Sequence, residues 1–180
     1  MAAPYRRPGP RPLRSFRGRS SGVDPRSIEA LFLGSQTNRI DAKGRVAVPA
    51  DFRRALETGP TRGIYCLKGL YLPRLECGGG DFIANYLAEI EDLKHFSDNR
   101  ELLEEHILGS VRLLAFDSEG RVVIPEDFRQ YANLKERALF QGRGKRFLIL
   151  DSESAEKRIA DTRDAAREAL RARTSNGAGR

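Results

Sequence analysis

Arg45 and Arg121 each directly follow a glycine and stand four positions after an aspartate, in the paired stretches DAKGRVAVPADFR (41–53) and DSEGRVVIPEDFR (117–129). Eight of the thirteen positions are identical, and two more exchange one small or β-branched apolar residue for another. Such repetition in one chain marks a unit built twice. The guanidinium is a planar fork able to donate two hydrogen bonds to O6 and N7 of guanine in a major groove. A carboxylate four residues earlier either orients that fork by a charge-assisted hydrogen bond or simply makes the turn. The competing use of the arginine is to cover apolar surface with its stem. Recurrence of the same arginine in the same setting weighs against that use.

An arginine of this kind needs a rigid support. Alternation in RIDAKGRVAV and again in AFDSEGRVVI predicts two short strands around a tight reversal. Asp at the first and Gly at the fourth position of Asp41–Gly44 and Asp117–Gly120 fit a type I turn, in which the carboxylate caps backbone N–H groups and glycine tolerates positive φ. Pro49 and Pro125 then end each ladder and suit the first turn of a helix. Phe52 with Leu56, and Phe128 with Tyr131 and Ala132, give those helices one apolar face, while Asp51 and Asp127 fall in the first turn, where the helix dipole favours negative charge. Two further strand-like pieces complete each unit, GIYCLKGLYL (63–72) and RALFQGRGKRFLIL (137–150). GRGK (142–145) lacks the spacing and the Ser or Thr of a phosphate loop and reads as a tight turn between strands.

Between the units, Phe82, Tyr86, Leu87, Ile90 and Leu93, then Leu102, Leu103 and Ile107, recur at helical spacing and predict an antiparallel helical pair. The division expected is a disordered basic tail over 1–29, a first half-unit over 30–78, the helical pair over 79–109, a second half-unit over 110–151, and a solvent-exposed helix with a frayed tail over 152–180. One such half-unit cannot bury both faces of its sheet, so two must pack together in a pseudo-twofold barrel or sandwich.

Bulk composition narrows the functional classes. The chain of 180 residues has a formal charge of +7, but the charge is uneven. Residues 1–29 hold seven arginines against Asp24 and Glu29, whereas residues 30–150 hold eighteen basic against seventeen acidic side chains. A nucleic-acid surface on the folded body must therefore be a local patch, made dense by geometry or by assembly. The tail, rich in Arg, Pro, Gly and Ser, is either a basic arm making non-specific phosphate contacts or an extension without function. No apolar run approaches the length of a membrane span. Cys66 and Cys77 lack a CxxC partner and read as buried or incidental thiols rather than a disulfide or zinc site. His95 and His106 stand alone, and no nucleophile–base constellation is present, so no catalytic residue, metal site or cofactor is expected.

The doubled D-x-x-G-R-V-x-[VI]-P pattern resembles the MraZ family of bacterial transcriptional regulators over roughly residues 31–151. LFLGSQTNRIDAKGRVAVPADFR is similar to the family's opening and FDSEGRVVIPEDFRQYANLKERALFQGRGKRFLILD to its second half. The chain departs from the pattern at Leu150, where the family often has Trp. The resemblance implies a mainly β fold with helices, two AbrB-like swapped-hairpin half-units forming a pseudo-twofold β-barrel. It also implies a cytoplasmic, nucleoid-associated repressor or regulator of the cell-division and cell-wall gene cluster, acting on double-stranded DNA. Such a protein binds short G-rich direct repeats in the promoter of its own operon and assembles as a homo-oligomeric ring, with no membrane and no small-molecule substrate. Its DNA-contacting signature falls on Asp41 and Arg45 and on Asp117 and Arg121. The alternatives are an antitoxin-type or general AbrB-like DNA binder, and a scaffold ring that does not bind DNA.

The two copies are unequal. The first turn carries Lys43, flanked by Arg39, where the second has Glu119 and Phe116. A cation at a turn tip approaches phosphates and an anion is repelled, so the first half is expected to dominate DNA contact and the second to serve packing or assembly. Arg53, with Arg54 beside it, opens the first short helix and is a candidate supporting contact to backbone phosphate.

Overall fold

The structure is a computed structural model describing residues 28–57, 62–93 and 97–177, with side chains through 172. The expected disorder of the tail falls, except for residues 28 and 29, outside the described residues, as do His95 and the extreme C-terminus. The first half of the chain runs β1 (Ser35–Arg39), β2 (Arg45–Ala47), α1 (Ala50–Leu56), β3 (Gly63–Lys68) and β4 (Leu75–Gly78). Helices α2 (Gly80–Glu91) and α3 (Asp98–His106) follow, with one 3-10 turn at Leu108–Ser110. The second half repeats the opening order as β5 (Arg112–Ala115), β6 (Arg121–Val123), α4 (Glu126–Tyr131), β7 (Arg137–Gly142) and β8 (Phe147–Asp151), before α5 (Ser152–Gly177).

The halves exchange strands. Six strands form an antiparallel sheet in the order β1-β7-β8-β4-β3-β5, which reads the same from either end when the halves are interchanged. Each half's first strand therefore pairs with the other half's third, with β8 against β4 at the centre. The remaining strands, β2 and β6, pair only with each other in a two-stranded ribbon centred on Val46 opposite Val122. The first predicted hairpin persists for one bridge beyond its turn, Ile40 to Val46, before its arms part. The sheet is not closed into a barrel. Strands β1 and β5 lie at its opposite ends, and their continuations leave through the turns to form the ribbon.

Period-two alternation sorts the strands' side chains into two layers. Ile64 and Cys66, Leu75 and Cys77, Ala138 and Phe140, and Phe147 and Ile149 face one core with Val46, Val122, Phe52 and Phe128 from the ribbon and helices α1 and α4. Leu67 packs with Phe82 and Ile107 beneath α2 and α3, while Leu139, Leu148 and Leu150 pack with Ala155 at the start of α5. Strands covered on both faces explain the uninterrupted apolar runs of β3 and β8. Glu76, the one buried charged residue among those described, is held on the helical side by Arg74 at 3.0 Å, Arg146 at 2.9 Å and the Tyr86 hydroxyl at 3.0 Å. The phenol's own burial, and then the charge of Glu76, push Tyr86 up to about 12.

Several local expectations meet their structural reasons here. Pro49 and Pro125 stand at the cap position, one residue before each helix begins, with extended ψ of 139° and 150°. Leu103 of α3 and Ile107, the residue that caps its C-terminus, pack inward, whereas Leu102 points to another side of the helix and is exposed. On α5, Asp151 Oδ2 accepts the Ser154 N–H at 2.9 Å, Ala155 is buried, and residues 156–172 are exposed. Cys66 and Cys77 face each other across β3 and β4, both buried as free thiols with Sγ atoms 2.9 Å apart. Gly144, at φ +75°, turns β7 into β8.

Four phenylalanines from distant parts of the chain meet in the main core: the rings of Phe32 and Phe52 lie 4.9 and 5.1 Å from that of Phe147, and Phe140 lies 6.1 Å from it. Replacing Phe147 by alanine empties the meeting point of both halves. The expected loss is about 3–5 kcal/mol, read as a lowered urea midpoint with an unchanged slope. Tyr71→Ala, at a side chain 88% exposed, is expected to stay within about 0.5 kcal/mol of the parent.

Candidate nucleic-acid interface

Each D-x-x-G-R turn is closed by its aspartate in the same way. Asp41 Oδ1 accepts the backbone N–H groups of Lys43 and Arg45, both at 2.9 Å, and its Oδ2 accepts Arg45 Nε at 2.6 Å. Asp117 Oδ1 accepts the N–H groups of Glu119 and Arg121, both at 2.9 Å, and its Oδ2 accepts Arg121 Nε at 2.8 Å. One carboxylate thus does both jobs that the sequence left as alternatives: one oxygen makes the turn and the other aims the arginine. Gly44 and Gly120, at φ +78° and +73°, take the left-handed position that this closure requires.

The charge of each aspartate is correspondingly secured. Donation by the Arg45 backbone, then by its side chain, holds the Asp41 carboxyl below the usual carboxylate range. The equivalent donors of Arg121 bring Asp117 down to about 2. With Nε committed to the aspartate, only the terminal nitrogens of each guanidinium are left for further contacts, such as a base edge or a phosphate.

The ribbon brings the two arginines onto one surface. Val46 and Val122 point into the core, so Arg45, Ala47, Arg121 and Val123 face outward, with Arg45 opposite Val123 and Arg121 opposite Ala47. Diagonal neighbours of this kind lie about 7–8 Å apart at the backbone. Asn38 steadies the arrangement by donating from Nδ2 to the Ala47 carbonyl at 2.7 Å.

The surroundings of the two turns differ. Lys43 is exposed and has no ion pair among the described residues, and Arg39 at the end of β1 stands opposite Arg137 of β7. At the equivalent place beside the second turn, Ala115 stands opposite Gly63, and one residue further on the Phe116 N–H meets the Arg62 carbonyl where, at the first turn, the Ile40 N–H meets that of Glu136. Glu119 Oε2 accepts Arg121 Nη1 at 2.7 Å, occupying one prong of that fork. Of the candidates from sequence, Asp41, Lys43, Arg45 and Arg39 gather at the first turn. Asp117 and Arg121 lie at the second, and Arg53 reaches across to it from α1, with Nη1 at 3.3 Å from the Glu119 carbonyl. Arg137 was not among the sequence candidates. Its signal would have been the pairing of β1 with β7, and neither strand's sequence names its partner.

Among the described residues no cluster of three metal-ligating side chains occurs, and no helix is long and apolar enough to cross a membrane.

The family model described as "MraZ protein, putative antitoxin-like" matches residues 107–176. A protein of Xanthobacter autotrophicus named "Transcriptional regulator MraZ" is 34% identical over 137 residues, covering 76% of this chain and 87% of that protein. Proteins of the same name from Caulobacter vibrioides and Azorhizobium caulinodans are 35% and 34% identical, covering 79% and 82% of this chain and 90% and 94% of theirs.

The Asp117–Arg121 pair sets a pH expectation. Its folded carboxyl titrates near 2 against an ordinary value of 3.8, so the pair's contribution is fully present above the unfolded value and is lost as pH falls through the folded one. An NMR titration is expected to give an Asp117 midpoint near 2, and an Arg121 Nε–H signal unchanged between about pH 5 and 8. A midpoint at the ordinary aspartate value shows that the pair is absent in solution.

Proposed function

This chain belongs to the MraZ family, and from that membership we propose that it is a DNA-binding transcriptional regulator whose readers are the two Asp–Arg turns flanking the β2–β6 ribbon. The observation that carries the reading is the double use of each aspartate, which leaves a guanidinium fork aimed outward on a two-stranded ribbon. An antiparallel ribbon is narrow enough to enter a major groove, and an end-on arginine there pairs with guanine O6 and N7. Direct repeats in the promoter of its own operon are the proposed target.

One bidentate contact contributes about 1–3 kcal/mol of discrimination, too little to select one promoter. Assembly into a ring offsets that deficit, because each subunit engaging its own repeat raises the effective concentration of the next. Repression of the cell-division and cell-wall cluster, from a nucleoid-associated cytoplasmic pool, is the regulatory role proposed.

Within each subunit the first turn is the principal reader. Arg45 has no ion pair among the described residues other than with Asp41, Lys43 lies in the same turn, and Arg39 stands opposite Arg137 where β1 runs into that turn. Arg121 shares one prong with Glu119. Glu119 is 66% exposed, and a surface pair of this kind contributes about 0–1 kcal/mol. The repulsion of Glu119 from phosphate therefore weighs more than its hold on Arg121.

Mobility-shift titration on DNA upstream of the protein's own gene tests the reading. Arg45→Ala is expected to lose more affinity than Arg121→Ala, and equal losses would count against the asymmetry. No shift by the parent at low salt would sink the regulator reading. On the same DNA, Lys43→Ala is expected to lower the salt slope by about one unit, and Glu119→Lys to raise it by about one.

A further inference from the structure

Arg53 and Arg129 close the repeated thirteen residues, one in each half, and both lie on the short helix after the proline. Sequence alone offers Arg53 as a phosphate contact. The structure turns both side chains toward the opposite half. Arg53 Nη1 donates to the Glu119 carbonyl at 3.3 Å and fills the space beside Gly120: a Cβ placed there would stand 1.5 Å from that nitrogen. In the mirror arrangement, a Cβ at Gly44 would stand 3.2 Å from Arg129 Nε and 3.3 Å from its Cζ. The Nε atoms of Arg53 and Arg129 are both buried without a hydrogen-bond partner.

A buried unpartnered donor is costly to a fold, and here the cost recurs at equivalent positions in the two halves. Packing of the planar guanidinium over a glycine peptide offsets it, and a Cβ at 120 would displace the Arg53 fork while one at 44 would crowd Arg129. A phosphate contact would need this fork turned outward, yet Arg53 has its Nε buried and one terminal nitrogen on a carbonyl. We infer that Arg53 and Arg129 are positioning residues, each packing the reader turn of the opposite half against its own helix. Resting on the DNA reading above for what the turns do, each clamp supports one reader turn from the other half.

Hydrogen exchange on the full chain tests the clamp without DNA. Arg53→Ala is expected to speed exchange at the amides of Glu119, Gly120 and Arg121 by about tenfold, leaving Lys43, Gly44 and Arg45 unchanged. Arg129→Ala is expected to give the reverse pattern. Arg53→Lys, which keeps charge and stem, gives the same crossed pattern to a smaller extent and serves if the alanine variant does not fold. Loosening of the variant's own half, of both turns equally, or of neither overturns the inference. With DNA, Arg53→Ala is expected to lower the ratio of promoter to scrambled-sequence affinity while leaving the salt slope unchanged. A slope reduced by about one unit with equal loss on both DNAs identifies a phosphate contact and overturns the clamp. Failure of the parent to discriminate between the DNAs would refute the regulator reading, and the exchange pattern still decides the clamp.

Discussion

The fold depends on one exchange of hydrogen bonds between halves. The Gly44 carbonyl accepts the N–H of Ile124 at 2.9 Å, and the Gly120 carbonyl accepts the N–H of Val48 at 3.2 Å. Each donor is the last residue before a helix-capping proline, and proline itself has no N–H to give. Neither reader turn is complete within its own half. Because Val46 and Val122 pair at the centre of the ribbon and are buried against the sheet, the same contact that closes the turns also anchors them to the core.

Pseudo-symmetry of the backbone leaves room for divergence at the surface. Phe52 sits among aromatic rings, whereas its counterpart Phe128 lies under Lys68 and Arg112, each 5.2 Å from the ring centroid. Those cations are anchored by Asp127, at 3.0 and 3.2 Å, and their hydrogen bonding and charge hold its carboxyl below the ordinary range. Among the described residues the corresponding Asp51 makes only an exposed pair with Arg54 at 3.2 Å. Two equivalent aspartates thus do different work, one bracing the helix to the sheet and the other lying at the surface. The same divergence places cations around the first turn and Glu119 beside the second.

Much of the local structure was legible because its causes lie within a few residues. The turns follow from an Asp and a Gly three positions apart, the helix starts from the prolines, and α2 from apolar spacing. The double use of Asp41 and Asp117 was half legible: sequence supplied the carboxylate and the arginine but not which oxygen meets which donor. The exchange of strands was implied only by the family resemblance, and the open sheet, Arg137 beside Arg39 and the reach of Arg53 to the second turn were not legible. Each depends on contacts between residues far apart in the chain, and period-two alternation assigns a face to a strand without naming its neighbour.

The sequence by itself determined that one supersecondary unit is built twice, where each turn falls, and which side chains the two tips carry, because short-range stereochemistry of Asp, Gly and Pro permits little else. Tertiary structure decided that each unit is finished by the other. A three-residue strand ended by proline cannot satisfy its backbone alone, so β2 and β6 pair across the pseudo-twofold axis and carry Arg45 and Arg121 onto one surface.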